Sequence, residues 1–235
     1  MDGRLQKVFV GYPIKKGQPG AKEPMEREWE TGMFKEEIAG PVWVGATNIK
    51  GDGQADLKHH GGPEKAIFAY STEHYSYWES NIEGSTISLG GMGENFLIDH
   101  LNEDHVCIGD TYEIGEATIQ VSQPRQPCWK PARRFKIKNL ALLIQNTGRT
   151  GWYFRVLKEG MVEKGQTLHL VERQFPQWTI SKCNEIMHQD KKNMQLASEL
   201  AACSLLAPGW RKTLSDRVEN GIEGDIQERI IGPNQ

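Results

Sequence analysis

CIGDTYEIGEATIQVSQPRQPCWK, residues 107–130, runs apolar or alternating through Cys107–Ile114 and Ala117–Gln123, with Gly115-Glu116 between them. Two such runs around a short Gly-containing pair predict a β-hairpin. The second arm then meets Pro124, Pro127 and Pro131, three prolines in eight residues. Proline fixes φ and donates no backbone N–H, so this backbone cannot pair as a central strand. A strand is expected to end here in a rigid loop, and Cys128 sits inside that loop.

Outward from the hairpin, similar short pieces recur. Lys7–Tyr12, Val42–Ile49, Ala66–Ser71, Phe96–Ile98, Trp152–Leu157 and Gln166–Arg173 read as strands, the last two closing as another hairpin through Glu159–Gly165. Between them Lys58–Pro63 (KHHGGP) reads as a turn and Thr72–Ser80 as one or two helical turns with Thr72 as cap. Leu140–Gln145 fits a helical turn or a strand equally well. Short strands with turn signals every dozen residues predict a mainly β fold, a barrel with short helices. After Arg173 the texture changes. Thr179–Gln189, Asn193–Leu206 and Pro208–Asn220 each carry apolar residues at helical spacing and predict a small three-helix bundle, joined to the barrel by RQFPQW.

The 235 residues and 26.6 kDa allow one large domain or a domain with an appendage. With 25 Gly, 11 Pro and a mean hydropathy of −0.59, the chain favours turns and β structure over a helical bundle. Twenty aromatics and ordinary charge exclude disorder. The longest apolar run, Leu140–Ile144, is far short of the roughly 20 residues that a membrane helix needs. The start, MDGRLQKVFVGYPIKKG, has no apolar signal core. With four cysteines and no CxxC pair, the expectation is a cytoplasmic chain with reduced thiols.

The net charge of −3 conceals a segregation. Residues 117–158 contain no Asp or Glu and nine Lys or Arg, so the remainder carries −12. An anion site would relieve that repulsion; a solvated basic face is the plainer reading. Within the run, Arg125, Lys130, Arg133 and Arg134 surround Cys128 in sequence and would favour its thiolate. Cys107, Cys183 and Cys203 fall on apolar stripes and read as core. His59 and His60 are adjacent, without metal-ligand spacing. The Gly61-Gly62 turn, flanked by Lys58 and Lys65, would offer N–H groups to an anion, and Gly93-Glu94-Asn95 is a second turn of this kind. From the residues alone three chemistries stay open: a cysteine nucleophile with His59 or His60 as base, a soft ligand to a redox metal, and a basic aromatic surface (Trp129, Phe135, Trp152, Tyr153, Phe154) stacking on nucleic acid.

KHHGGPEKAIFAY (58–70), EHYSYW (73–78), MGENF (92–96), GDTYEIGEATIQVSQPRQPCWK (109–130) and QNTGRTGW (145–152) together resemble the MOSC domain family, in its YiiM-like branch. The likeness runs in order over about 38–173, within a domain expected at 1–173; the segment 179–232 resembles the branch's three-helix extension. The resemblance implies a closed β-barrel of the pyruvate-kinase type. It also implies molybdenum cofactor binding with Cys128 as the thiolate ligand to the metal. The activity implied is oxidoreductase: reduction, in detoxification, of N-hydroxylated compounds such as N-hydroxylaminopurine. Electrons would come from a separate flavoprotein or ferredoxin-type reductase, because the chain has no flavin, haem or Fe–S motif. Under this reading His60 or Glu94 would supply the proton. Gly61, Gly62, Gly93 and Asn95 would face the pterin or its phosphate, Arg125, Lys130 and Arg134 would pair with the phosphate, and Lys58, His59 and Ser122 complete the expected set. Pyridoxal phosphate, also associated with the family, would need a Schiff-base lysine, and the sequence singles out none. Membrane and nucleic-acid partners are not expected; a homodimer is compatible with the helical extension. The rival to an enzyme is a non-catalytic carrier of cofactor or sulfur on Cys128.

Overall fold

In a computed structural model, which describes residues 1–84, 87–221 and 226–235, the chain opens with β1 (Gly3–Val10), β2 (Ile14–Lys16), β3 (Trp29–Thr31), β4 (Glu36–Glu37) and β5 (Val42–Val44). It continues through α1 (Leu57–His60), β6 (Ile67–Ser71), α2 (Glu73–Asn81), β7 (Phe96–Asp99), β8 (Thr111–Ile114) and β9 (Ala117–Pro124). Then come α3 (Lys130–Phe135), α4 (Leu140–Thr147), β10 (Trp152–Lys158), β11 (Gly160–Val162) and β12 (Thr167–Glu172). The last segment holds α5 (Ile180–Asn184), which runs on as a π-helical turn over Glu185–Gln189, α6 (Met194–Ala201), α7 (Pro208–Asn220) and α8 (Ile226–Ile230).

The expected hairpin is present: Ile114 pairs with Ala117 across Gly115, whose φ of +55° an L side chain would resist. The strands follow one another as β12-β8-β9-β10-β6-β7-β1, and β12 pairs again with β1. That second pairing closes a seven-stranded barrel and removes its open edges. The neighbours are antiparallel except β6 and β7, which are parallel. Two of the strand expectations change. β12 does not form a hairpin with β10; it pairs with β8 and β1, while the connecting residues form β11, which pairs with β5. Cys107 lies before β8, in a bridge to Thr179, rather than on a strand. It is buried, as are Cys183 and Cys203.

β6 shows why the barrel carries two apolar layers. Its five residues are all buried, and strand alternation sends Ile67 and Ala69 inward and Phe68 and Tyr70 outward. The inward residues join the barrel core. The outward ones join an aromatic cluster with Tyr75 and Trp78 of α2, Ala132 of α3 and Ile144 of α4. Leu140–Gln145 is thus helical. Thr72 does not cap α2; its Oγ1 donates to Asp99 Oδ1 at 2.6 Å, tying the helix start to β7. The expected C-terminal helices are present, and they continue the barrel core: Ile180, Cys183, Ile186, Leu200, Trp210 and Leu214 belong to the same cluster as Val121 and Phe154. α8 was not foreseen. Of the span 179–232, residues 222–225 lie outside the described residues. Among the described residues no helix is long and apolar enough to cross a membrane.

Candidate functional site

β9 ends where the prolines begin. Pro124 still pairs with Trp152, and Arg125 N–H donates to Gly151 O at 3.0 Å. The chain then leaves the sheet until Pro131, in the first turn of α3, restarts regular structure. Cys128 stands between these two anchors. Opposite it, where the sequence predicts a turn over Lys58–Pro63, Leu57–His60 forms a single helical turn, and a 3-10 turn over Pro63–Lys65 follows Gly61 and Gly62. Asp56 caps the first of these, accepting from His59 N at 3.1 Å and meeting His59 Nδ1 at 2.8 Å. That engages the exposed His59 and leaves His60 to face the cysteine.

Two adjoining cavities meet at this point, an inner one of about 80 Å³ and an outer one of about 430 Å³. His60, Lys65, Cys128, Lys130 and Tyr153 line both. Burial raises the Cys128 thiol, but the His60 side chain, the Arg125 charge and the Lys130 backbone N–H outweigh it and bring the thiol down to about 6. Arg125 lines the inner cavity, 5% exposed, its guanidinium over the Phe68 ring at 5.1 Å. Its Nη1 is buried without a hydrogen-bond partner. A buried, unpartnered guanidinium nitrogen beside a thiolate is an arrangement that an anionic group would complete.

The expected site residues divide. Cys128, His60, Arg125, Lys130, Gly93 and Asn95 line the inner cavity, and Lys58 and His59 the outer one. Gly61, Gly62, Glu94, Ser122 and Arg134 line neither. Glu94 is fully buried, accepting from the Tyr75 hydroxyl and from Gly90 N at 2.9 Å, and burial raises its pKa. Ser122 Oγ lies 2.6 Å from Glu64 O and 3.1 Å from Tyr153 O. Arg134 donates to the Met33 and Gly90 carbonyls and packs on Phe34. Even Asn95 contributes position rather than free donors: Oδ1 accepts from Phe68 N and Nδ2 donates to Phe9 O and Asp52 Oδ2.

The basic run is similarly sorted. Arg155 pairs with Glu64 at 2.5 Å and Lys136 with Glu26 at 3.0 Å, carboxylates brought from outside the run. Only Arg125 and Lys130 of the nine line the two cavities. Trp152 and Phe154 are fully buried in the barrel core, which removes them from any stacking surface.

The sequence reading missed Lys35, which lines the inner cavity and pairs with the buried Asp52 at 2.5 Å. Burial lowers the pKa of Lys35 and also that of Lys65, whose Nζ donates to His59 O at 2.6 Å. Arg229 of α8 lines the outer cavity and was missed as well. No local motif marks Lys35 or Arg229; only long-range packing brings them in. Among the described residues no three His, Cys, Asp or Glu side chains gather as a metal-binding cluster.

Comparison with known proteins gives the family. The MOSC domain model matches residues 56–169, and the "YiiM-like, 3-alpha helix domain" model matches 178–221. The uncharacterized protein YflK of Bacillus subtilis (strain 168) is 41% identical over 206 residues, 88% of this chain and 93% of its own. A protein of Gibberella moniliformis (strain M3125 / FGSC 7600) named "Reductase" is 36% identical over 200 residues, 84% of this chain but 34% of its own length. The crystal structure of YiiM from Geobacillus stearothermophilus superposes with a TM-score of 0.76 at 36% identity, covering 92% of this chain and 99% of that one. With both segments matched and relatives more than 30% identical over most of its length, the chain belongs to the MOSC domain family, in the YiiM-like branch.

Proposed function

We propose that the protein is a molybdenum cofactor-binding oxidoreductase that reduces N-hydroxylated compounds, with Cys128 as the protein ligand to the metal. The observation that carries this reading is the Cys128 thiol, brought down to about 6 beside a buried Arg125 nitrogen that has no partner. A single soft thiolate fits a metal whose other ligands belong to its own cofactor. The donors fit the remainder of that cofactor too: Arg125 toward an anionic group inside, and Lys65 and Lys130 at the junction with the outer cavity. The reductase name borne by one relative supports the reaction class.

When bound, the cofactor would supply two-electron redox chemistry with oxygen transfer. The chain's own residues do the rest. His60 holds the Cys128 thiolate through a side-chain hydrogen bond, which places it to pass a proton at that sulfur. Phe68, Met92 and Tyr153 give the inner cavity an apolar wall, and Lys35, fixed by Asp52, brings a cation to it. Glu94, bonded to Tyr75 and outside both cavities, is assigned to holding the loop rather than to proton transfer. Electrons are supplied by a separate donor protein of the flavin or ferredoxin-reductase class.

The test is molybdenum and pterin content of protein from a cofactor-competent host, beside Cys128→Ala and a cofactor-deficient host. The expected result is near-stoichiometric metal, lost in both controls, with hydroxylamine reduction lost in Cys128→Ala while the fold persists. A metal-free wild type carrying a persulfide on Cys128, without turnover of any hydroxylamine, would replace this reading with the carrier.

A further inference from the structure

Residues 226–235 fall beyond both family segments, which end at 169 and 221, yet they are folded onto the Cys128 loop. The Arg229 guanidinium donates to the Pro127 carbonyl and, at 2.6 Å, to Gln145 Oε1. Its backbone carbonyl accepts from Trp129 N–H at 2.9 Å. The residues before and after Cys128 are therefore tied to one arginine. From the other side Asn234 Nδ2 donates to Trp129 O at 3.1 Å, while Arg133 donates to Asn234 Oδ1 at 2.7 Å and to Pro233 O at 2.6 Å. Gly232, at φ +49°, lies against the Trp129 ring so closely that a Cβ would come within 2.3 Å of Cδ1. Such a fit leaves little room for the segment to sit elsewhere.

We infer that residues 226–235 complete the site: Arg229 is the positioning residue that sets the Cys128 loop and the cation that draws an anionic ligand to the thiol. Arg229 lines the outer cavity together with Cys128, Lys65 and Lys130. The groups it bonds are neutral carbonyl oxygens, which engage its N–H groups without cancelling its charge. Burial lowers its pKa, while the field it exerts reaches both Cys128 and Arg125. The inference needs only the thiol and holds whichever group Cys128 serves.

The experiment uses the full-length protein from a host lacking the molybdenum cofactor. Labelling of Cys128 at pH 7 by iodoacetate and by iodoacetamide is followed by mass spectrometry of the Cys128 peptide. The two reagents differ chiefly in charge, so their rate ratio reads the cation at the thiol, and a merely structural arginine would not move it. Arg229→Gln is expected to lower the ratio about three- to tenfold, and Arg229→Lys to retain most of it. A ratio unchanged in Arg229→Gln, or lowered as far in Arg229→Lys, overturns the inference. Should Arg229→Gln fail to fold, Asn234→Ala decides. It loosens the segment without removing its charge, and its ratio is expected to fall; a ratio equal to the parent's overturns the inference.

Discussion

A thiol at about 6 is roughly ten-to-one thiolate at neutral pH, where an ordinary cysteine is still almost wholly protonated. A lowered pKa means that the surroundings favour the charged form. Alkylation of Cys128 by iodoacetamide is therefore expected to be half-maximal near pH 6 and flat above about pH 7. His60→Ala removes the largest of the opposing stabilisations and is expected to move the midpoint upward. A wild-type midpoint above 9 would show that burial, not His60 and Arg125, governs the thiol. Cys128 was legible in the sequence because its evidence is local: the prolines and four bases lie within ten residues of it. Lys35 was not, because its place depends on Asp52, which also accepts from Gly11 N and Asn95 Nδ2. Glu94 misled for a related reason. The turn expected at Gly93-Glu94-Asn95 falls earlier, over residues 89–92, and the Glu94 carboxylate is engaged by Tyr75 and Gly90, away from the cavity.

At the scale of elements, helix α2 and the glycine-rich loop before β7 depend on one another. Tyr75 reaches from the helix to Glu94, and the loop places Met92, Gly93 and Asn95 along the inner cavity. Tyr75→Phe leaves a buried carboxylate with one donor fewer, while Glu94 Oε2 already has no partner. The substitution is expected to cost about 1–3 kcal/mol in urea unfolding. A cost near zero would mean that the bond contributes no net stability. The same scale shows where pattern reading stops. Alternation and turn residues revealed the β8–β9 hairpin, because its partners are separated by two residues. They could not reveal that β12 pairs with β8 and β1, since barrel closure is a property of all seven strands and the intervening chain was free to form β11.

For the whole molecule, the question is whether barrel and helices unfold together. Helical spacing made α5, α6 and α7 readable, but a spacing shows only that one face is apolar, not what covers it. Here the barrel covers it. Leu200 and Ile186 are fully buried in the same cluster as Phe154 and Val121. Asn184 Nδ2 donates to Thr150 Oγ1 at 2.9 Å, Ala207 N–H donates to Ser122 O, and Arg155 donates to Leu205 O at 2.8 Å. The last two bonds connect the helical segment to β9, which leads into the cysteine loop, and to its sheet neighbour β10. A shared core of this kind predicts one cooperative thermal transition. Leu200→Ala removes a core side chain about as large as the space it fills, at a cost of about 2–5 kcal/mol. For a chain of this length that is a fall of roughly 5–15 °C in Tm. Calorimetry should show the entire transition moving by that amount. A second transition that stays at the wild-type temperature while the first falls would mean that the helices unfold on their own and that the cysteine loop does not depend on them.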